Sequence, residues 1–262
     1  MRVIEGEMNL TEKTRKNNWQ SIWANRLANV DILQGKDKKE ILLELKRSSG
    51  YDVMPGSVSL ESFITQYLEI KNGLFFAPES KEKLLIESIY EVGCGSGGNL
   101  YMFENDIFEN EEAGIQCGGI DYSENLLHVA QLVLSTTDLT YDEAIFVDTE
   151  KKYDAVFSNG VFSYFQDEAY GYSVLEKMYE KARKSIGILE IHDIEKKDDY
   201  ISYRKRNIEN YEEKYKNLPR LFYSKQFFID FAKEHNLLIQ FTDSKMEGYW
   251  NNEFIFNCYM YK

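Results

Sequence analysis

The stretch Ser88-Ile89-Tyr90-Glu91-Val92-Gly93-Cys94-Gly95-Ser96-Gly97-Gly98-Asn99 constrains the fold more than any other part of the chain. A short apolar run ends in an acid and meets four glycines within six positions, and Leu100-Tyr101-Met102-Phe103 then reads as a helix. The implied order is strand, tight loop, helix. Glycine takes positive φ without steric cost and lets a ligand approach the backbone. The N-terminus of the following helix offers N–H groups that have no partner within the helix. Two ligand patterns overlap here. Gly93, Gly95 and Gly98 satisfy the G-x-G-x-x-G of dinucleotide sites. Glu91, Gly93, Gly95 and Gly97 satisfy E-x-G-x-G-x-G.

The rest of the chain decides between them. Strands are expected at 87–92, 116–121, 144–147, 153–158 and 185–191. Helices lie between them, among them one capped by Ser123 with Leu126, Leu127, Ala130 and Val133 on one face, and one over 168–183. After a helix capped by Ser224, strands at 237–241 and 254–261 are separated by a loop alone, so that pair is antiparallel. The fold class is therefore α/β: a Rossmann-like, doubly wound, mainly parallel seven-stranded sheet with an antiparallel last strand. It is not the two matched halves of a dinucleotide-binding fold.

About 85 residues of helix and loop precede the first strand. Residues 1–17 are polar. Apolar residues Trp19, Ile22, Trp23, Leu27 and Val30 predict one helix over 18–30, with Arg26 available for a carboxylate. A second helix is expected over 38–46, a turn at Pro55-Gly56, and a third helix capped by Ser57 or Ser59 that carries Phe63, Ile64, Tyr67 and Leu68. The expected organisation is a helical cap or lid over 1–85 and a ligand-binding domain over 86–262, with a substrate-side insertion at 194–222.

At 262 residues and 43% hydrophobic composition, the chain can bury a large core. A net charge of −13 repels phosphate backbones, which argues against nucleic acid as a partner. No run approaches the ~18 apolar residues of a membrane span. Cys94, Cys117 and Cys258 are too scattered for a disulfide framework or a zinc site, so a reducing, cytoplasmic setting is expected. No metal motif is visible, and nothing in the sequence sets the oligomeric state.

From Glu87 onward the order of motifs resembles the class I S-adenosylmethionine-dependent methyltransferases, small-molecule type. Glu91-Val92-Gly93-Cys94-Gly95-Ser96-Gly97 resembles their motif I. The resemblance implies S-adenosylmethionine as cofactor. The backbone of Gly93, Cys94, Gly95 and Gly97 would lie under its methionine part, and Glu91 would order the loop or meet the amino group. Asp121 would take the ribose hydroxyls, Tyr122 would lie against adenine, and Asp148 with Thr149 would meet the adenine amino group. The connection from Thr149 to Tyr153 is shorter than the family usually has. Ser158-Asn159-Gly160-Val161-Phe162 resembles motif IV of small-molecule enzymes and lacks the N-P-P-Y or D-P-P-Y of enzymes that methylate exocyclic amines.

Methyl transfer to a hydroxyl needs alignment and a proton acceptor. His192, at the carboxyl end of the fifth strand, is the expected base, because an imidazole titrates near ~6.5. The insertion carries Arg204, Lys205, Arg206, Lys214, Lys216 and Arg220 on an acidic protein, so the small-molecule substrate is expected to be anionic. O-methylation of a sugar, a phosphoryl or phosphonyl acid or another metabolite hydroxyl is the preferred reaction. The alternatives are methylation of a small amine, a nicotinamide-dependent oxidoreductase and a non-catalytic cofactor-binding module.

Overall fold

The computed structural model describes residues 18–34, 37–51, 58–78, 83–105, 114–136 and 138–262. The polar N-terminal segment 1–17 and the expected turn at Pro55-Gly56 lie outside these residues. Four helices come first: α1 (Asn18–Ala24), α2 (Val30–Leu33), α3 (Lys38–Ser48) and α4 (Leu60–Phe75). Asp37 caps α3 by accepting from the amides of Lys39 and Glu40, and Ser59 begins α4. The α/β part follows as β1 (Ser88–Val92), α5 (Gly98–Asn105), β2 (Gln116–Asp121), α6 (Glu124–Val133), β3 (Leu139–Tyr141), β4 (Tyr153–Asn159), α7 (Glu168–Lys181) and β5 (Ala182–His192). Helices α8 (Lys197–Asn207), α9 (Tyr211–Tyr215) and α10 (Lys225–Glu234) lead into β6 (Leu238–Asp243) and β7 (Ile255–Tyr261).

The sheet order is β3-β2-β1-β4-β5-β7-β6. The first five strands are parallel, and β7 runs antiparallel to both β5 and β6. The expected fold class is therefore the observed one. Because the parallel strands are covered on both faces, β1 is buried along its whole length. One apolar core joins α3, α4 and α5 to one face of the sheet, through Leu45, Ile70, Leu74, Phe103 and Phe157. The other core packs α7 and α10 on the opposite face, through Val174, Met178, Phe228 and Phe231.

Two expectations about local structure are corrected. The single helix over 18–30 stops at Ala24. The carbonyls of Trp23 and Ala24 accept from Ser123 Oγ at 2.9 Å and Asn125 Nδ2 at 2.8 Å, so the start of α6 satisfies groups that a longer helix would have used. Leu27 and Val30, expected on the apolar face, are exposed. The third strand is not 144–147 but Leu139–Tyr141, which pairs in parallel with Gly119–Asp121. The apolar run Ala144–Phe146 is a 3₁₀ turn: Ala144 and Ile145 pack against the core that includes α7, without a sheet partner, and Phe146 is exposed.

Candidate active site

The carboxyl ends of the parallel strands open into a cleft of about 200 Å³, the place where an open α/β sheet binds ligands. Its floor is the loop after β1. Gly93, Gly95 and Gly97 have φ of 78°, 53° and 80°, values that a side chain strains to adopt. The Gly93 and Cys94 amides donate to Ile120 O at 2.8 and 3.0 Å, which clips the loop to β2. Asp121 tightens the same junction: its two oxygens accept from Gly95 N at 2.8 Å and Ser123 N at 2.7 Å. Burial raises its pKa to about 6, against the opposing pull of those two amides.

Glu91, Gly93, Cys94, Gly95, Asp121, Tyr122 and Asn159 all line this cleft. Five expected site residues are placed elsewhere. Gly97 turns the loop against α6, where an added Cβ would meet Leu134 at 2.9 Å. Ser158 is buried and donates to Val92 O at 2.8 Å, tying β4 to β1. Asp148 is exposed and accepts from the Glu150 and Lys151 amides, so it caps a turn with Thr149 beside it. The physical reason is the shifted third strand. The acid-bearing turn after the true β3 is Asp142-Glu143, and Glu143 and Ala144 line the cleft instead. His192 does not line this cleft but a smaller neighbouring cavity.

The N-terminal helices contribute directly. Trp19 and Trp23 of α1 line the cleft, and Trp19 Nε1 donates to Pro219 O at 2.7 Å, joining α1 to the insertion. Arg26 is committed elsewhere, donating to the carbonyls of Arg47 and Ser48 at the end of α3. Lys46 of α3 is buried, and its Nζ donates to Gln66 Oε1 at 2.6 Å and to Asn99 Oδ1. Asn99 in turn donates to Glu91 Oε1 at 2.6 Å. Burial pushes both charged groups toward neutrality, Lys46 down and Glu91 up. The second Glu91 oxygen is buried without a hydrogen-bond partner.

Glu190 is the residue that sequence reasoning missed. It has φ 55°, rare for a residue with a side chain. On β5, Ile188 pairs with Cys258 and Ile191 with Phe256, so three steps along β5 match two along β7. This is a β-bulge, a device that re-aims a side chain. Asn257 Oδ1 holds the bulge by accepting from Glu190 N at 3.0 Å. The carboxylate is thereby directed into the cleft, where it accepts from Tyr51 Oη, from Gln66 Nε2 at 2.7 Å and from Tyr249 Oη at 3.1 Å. Burial raises its pKa, although these donors and Lys46 oppose the shift. Gly160 N donates to Leu189 O at 3.0 Å, so the turn after β4 and the bulge in β5 are adjacent. The available signal was a charged residue within the apolar run Ile186-Gly187-Ile188-Leu189-Glu190-Ile191.

His192 is 4% exposed, with its ring edge-on to Tyr200 and Phe222. Burial, then the Arg220 and Arg204 charges, hold its pKa well below the ordinary imidazole value, so the ring is neutral. Neither ring nitrogen has a hydrogen-bond partner.

Comparison with known proteins agrees with this geometry. Residues 90–186 match the family described as a methyltransferase domain. The chain is similar in structure to the plantazolicin methyltransferase BpumL in complex with a monoazolic desmethylPZN analog and SAH (TM-score 0.57, 15% identity, 86% of this chain and 97% of that one). It is also similar to magnesium protoporphyrin IX methyltransferase from Synechocystis PCC 6803 with bound SAH (TM-score 0.50, 12% identity, 77% and 81%). A third similar structure is the small RNA methyltransferase HEN1 (TM-score 0.54, 15% identity, 76% of this chain and 25% of that one). No curated protein sequence matches the chain. Identities this low carry the fold and leave the acceptor to be argued from the site.

Proposed function

We propose that the chain, whose residues 90–186 match the family described as a methyltransferase domain, is an S-adenosylmethionine-dependent methyltransferase that methylates an oxygen of a small, negatively charged acceptor. S-adenosylmethionine supplies an electrophilic methyl group on a sulfonium centre when bound. The residues present fit this cofactor. The unpartnered buried oxygen of Glu91 suits its ammonium group. The positive-φ backbone of Gly93 and Gly95 allows the methionine part a close approach. Asp121 suits the ribose hydroxyls, since each of its oxygens has a further lone pair beyond those used by Gly95 and Ser123. Tyr122 and Ala144 suit the adenine, with Glu143 in the role first expected of Asp148.

The observation that carries the choice of oxygen is the Glu190 bulge. A hydroxyl must lose its proton as it is methylated, and a buried carboxylate with a raised pKa is a stronger base than an ordinary one. Strained backbone retained at such a point is a signature of a functional site. His192, neutral and one cavity further on, is the second group able to take a proton. An amine acceptor is the alternative reading, because the same carboxylate would pair with an ammonium. The helices before β1 serve as a lid through Trp19 and Trp23. Three buried free thiols favour a reducing compartment, hence the cytoplasm.

The test uses S-adenosylmethionine with matched pairs of small acids, each pair differing only in a hydroxyl or an amine at the same carbon. Methyl ethers forming from the hydroxyl members support the reading. Products from the amine members alone would replace oxygen by nitrogen. Calorimetric titration that shows no S-adenosylhomocysteine binding would remove the whole proposal.

A further inference from the structure

A cavity of about 60 Å³ lies beside the cofactor cleft and shares Tyr51, Gly160, Tyr164, Glu190 and Tyr249 with it. Its far wall carries two arginines from the insertion. Arg204, on α8, is 2% exposed. Its guanidinium lies over the rings of Tyr215 at 4.1 Å, Tyr211 at 5.1 Å and Tyr200 at 5.4 Å. Arg220 lies over Tyr164 at 4.6 Å and Trp19 at 4.9 Å. Aromatic faces stabilise a cation from above and below the guanidinium plane, but they leave the in-plane N–H groups without acceptors. Arg204 gives one N–H to Tyr200 Oη at 2.7 Å, and Arg220 gives one to Ser163 Oγ at 3.4 Å and another to the Tyr164 side chain. The Nε of each is buried and unpartnered.

Among the described residues, no carboxylate lies within ion-pair distance of either arginine. A buried cation without a counter-charge is costly, and two converging on one cavity are more so. Glu190 is the acid that lines the cavity, and its oxygens already accept from three donors. Even with Glu190 ionised, two arginines leave a surplus of positive charge. His192 stays neutral there, held so first by its burial and then by the Arg220 and Arg204 charges.

We propose that this cavity is the seat of an oxyanion carried by the acceptor, a carboxylate or a phosphate group, with the acceptor oxygen turned back toward Glu190. The assignment of the near end rests on the methyltransferase reading; the oxyanion seat itself does not. Planar guanidinium edges match carboxylate and phosphate oxygens in geometry and charge. The small volume admits a single head group.

The test uses the full chain saturated with S-adenosylhomocysteine, with acetate and inorganic phosphate as probes against chloride at matched ionic strength. Tryptophan fluorescence reports on the site, since Trp250 lines the cavity and Trp19 flanks Arg220. Saturable change is expected with one or both probes, and which one binds distinguishes a carboxylate from a phosphate acceptor. Arg204→Gln and Arg220→Gln should each weaken that binding at least tenfold, with the affinity for S-adenosylhomocysteine held within threefold as proof of fold. A second variant does not depend on losing an arginine. Asn251 lines the cavity with its Oδ1 unpartnered, so Asn251→Asp would place a counter-charge there. That variant should melt at a higher temperature than the wild type and lose probe binding. Absence of saturable binding by the wild type overturns the proposal, as does a lower melting temperature for Asn251→Asp. Failure of S-adenosylhomocysteine to bind, with the probe result intact, would instead overturn the methyltransferase reading alone.

Discussion

The assignment of Asp121 to the ribose can be tested by Asp121→Asn. Each carboxylate oxygen accepts one backbone amide, from Gly95 or Ser123, and has one lone-pair position left for a ribose hydroxyl. The amide side chain keeps one acceptor oxygen and turns the other position into a donor. At least one charge-assisted hydrogen bond is lost, which is worth roughly 1.5–3 kcal/mol. At about 1.4 kcal/mol per decade, S-adenosylhomocysteine should bind the variant roughly 10- to 150-fold more weakly at pH 7.5. Burial raises the Asp121 pKa to about 6, so the wild-type carboxylate itself becomes neutral below that pH. The anionic form is the one that binds. The advantage of wild type over variant is therefore full above pH 6 and shrinks by about tenfold for each unit below it. Glu91, pushed up to about 8 by burial, titrates above this range, and the Asp121 charge that adds to its shift is absent from the variant, so the comparison is made as the ratio of the two dissociation constants at each pH. Isothermal titration calorimetry between pH 7.5 and 5 reads that ratio directly. A ratio below about three at pH 7.5, or one that does not change with pH, would refute the ribose assignment.

Three other perturbations separate chemistry, cofactor binding and packing. Glu190→Gln should lower kcat by about 10²- to 10⁴-fold with cofactor affinity intact. Because the raised pKa leaves less of the basic form at low pH, wild-type kcat should fall as pH drops while the residual rate of the variant stays flat, as stopped-time product assays would report. Gly93→Ala puts a side chain at φ 78° with its Cβ 2.4 Å from Val161 Cγ2, so the loop must shift. The expected result is at least tenfold weaker S-adenosylhomocysteine binding by calorimetry. Gly73→Ala drives a methyl into the Tyr259 ring at 2.1 Å, in the contact between α4 and β7. Overpacking of this kind costs about 1–3 kcal/mol, offset in part by about 1 kcal/mol of helix propensity, and a lower melting temperature with unchanged affinity should result.

The sheet was legible because its signals are local. β2 has the bounds its alternation with glycine and its terminal acid imply, and β7 was recognised as antiparallel because a loop alone separates it from β6. The errors arose where tertiary contacts override local pattern. Ala144-Ile145-Phe146-Val147 has the composition of a strand, yet Ala144, Ile145 and Val147 find their cover in the core that includes α7 and not in a sheet neighbour, and Phe146 is exposed. Leu139-Thr140-Tyr141, mostly exposed at the sheet edge, has little hydrophobic signal and is nevertheless the strand. That exchange leaves Asp148, the expected adenine-side acid, capping an exposed turn, and puts Glu143 in the cleft. The N-terminal helix was too long in expectation because its stop is made by Ser123 and Asn125, about 100 residues away.

The two halves of the site differ in how they are encoded, and the difference has a physical cause. The half facing the cofactor is built from one loop and the ends of adjacent strands, so Glu91, the glycines and Asp121 stand within about 30 positions and carry a readable spacing. The half facing the acceptor is assembled from Tyr51, Gly160, Glu190, Arg204, Arg220 and Tyr249, which share no local pattern. Its members are fixed by long-range devices: a bulge in β5 opposite Asn257, a hydrogen bond from Gln66 of α4, and a cluster of aromatic rings around Arg204. The insertion supplies Arg204 and Arg220, the chain before β1 supplies Tyr51 and Gln66, and β7 supplies the Asn257 that holds the bulge. One fold can therefore hold its cofactor half constant and vary the acceptor. For the same reason, on the reading proposed above, the acceptor would be specified by the charge surplus at Arg204 and Arg220 and not by any motif.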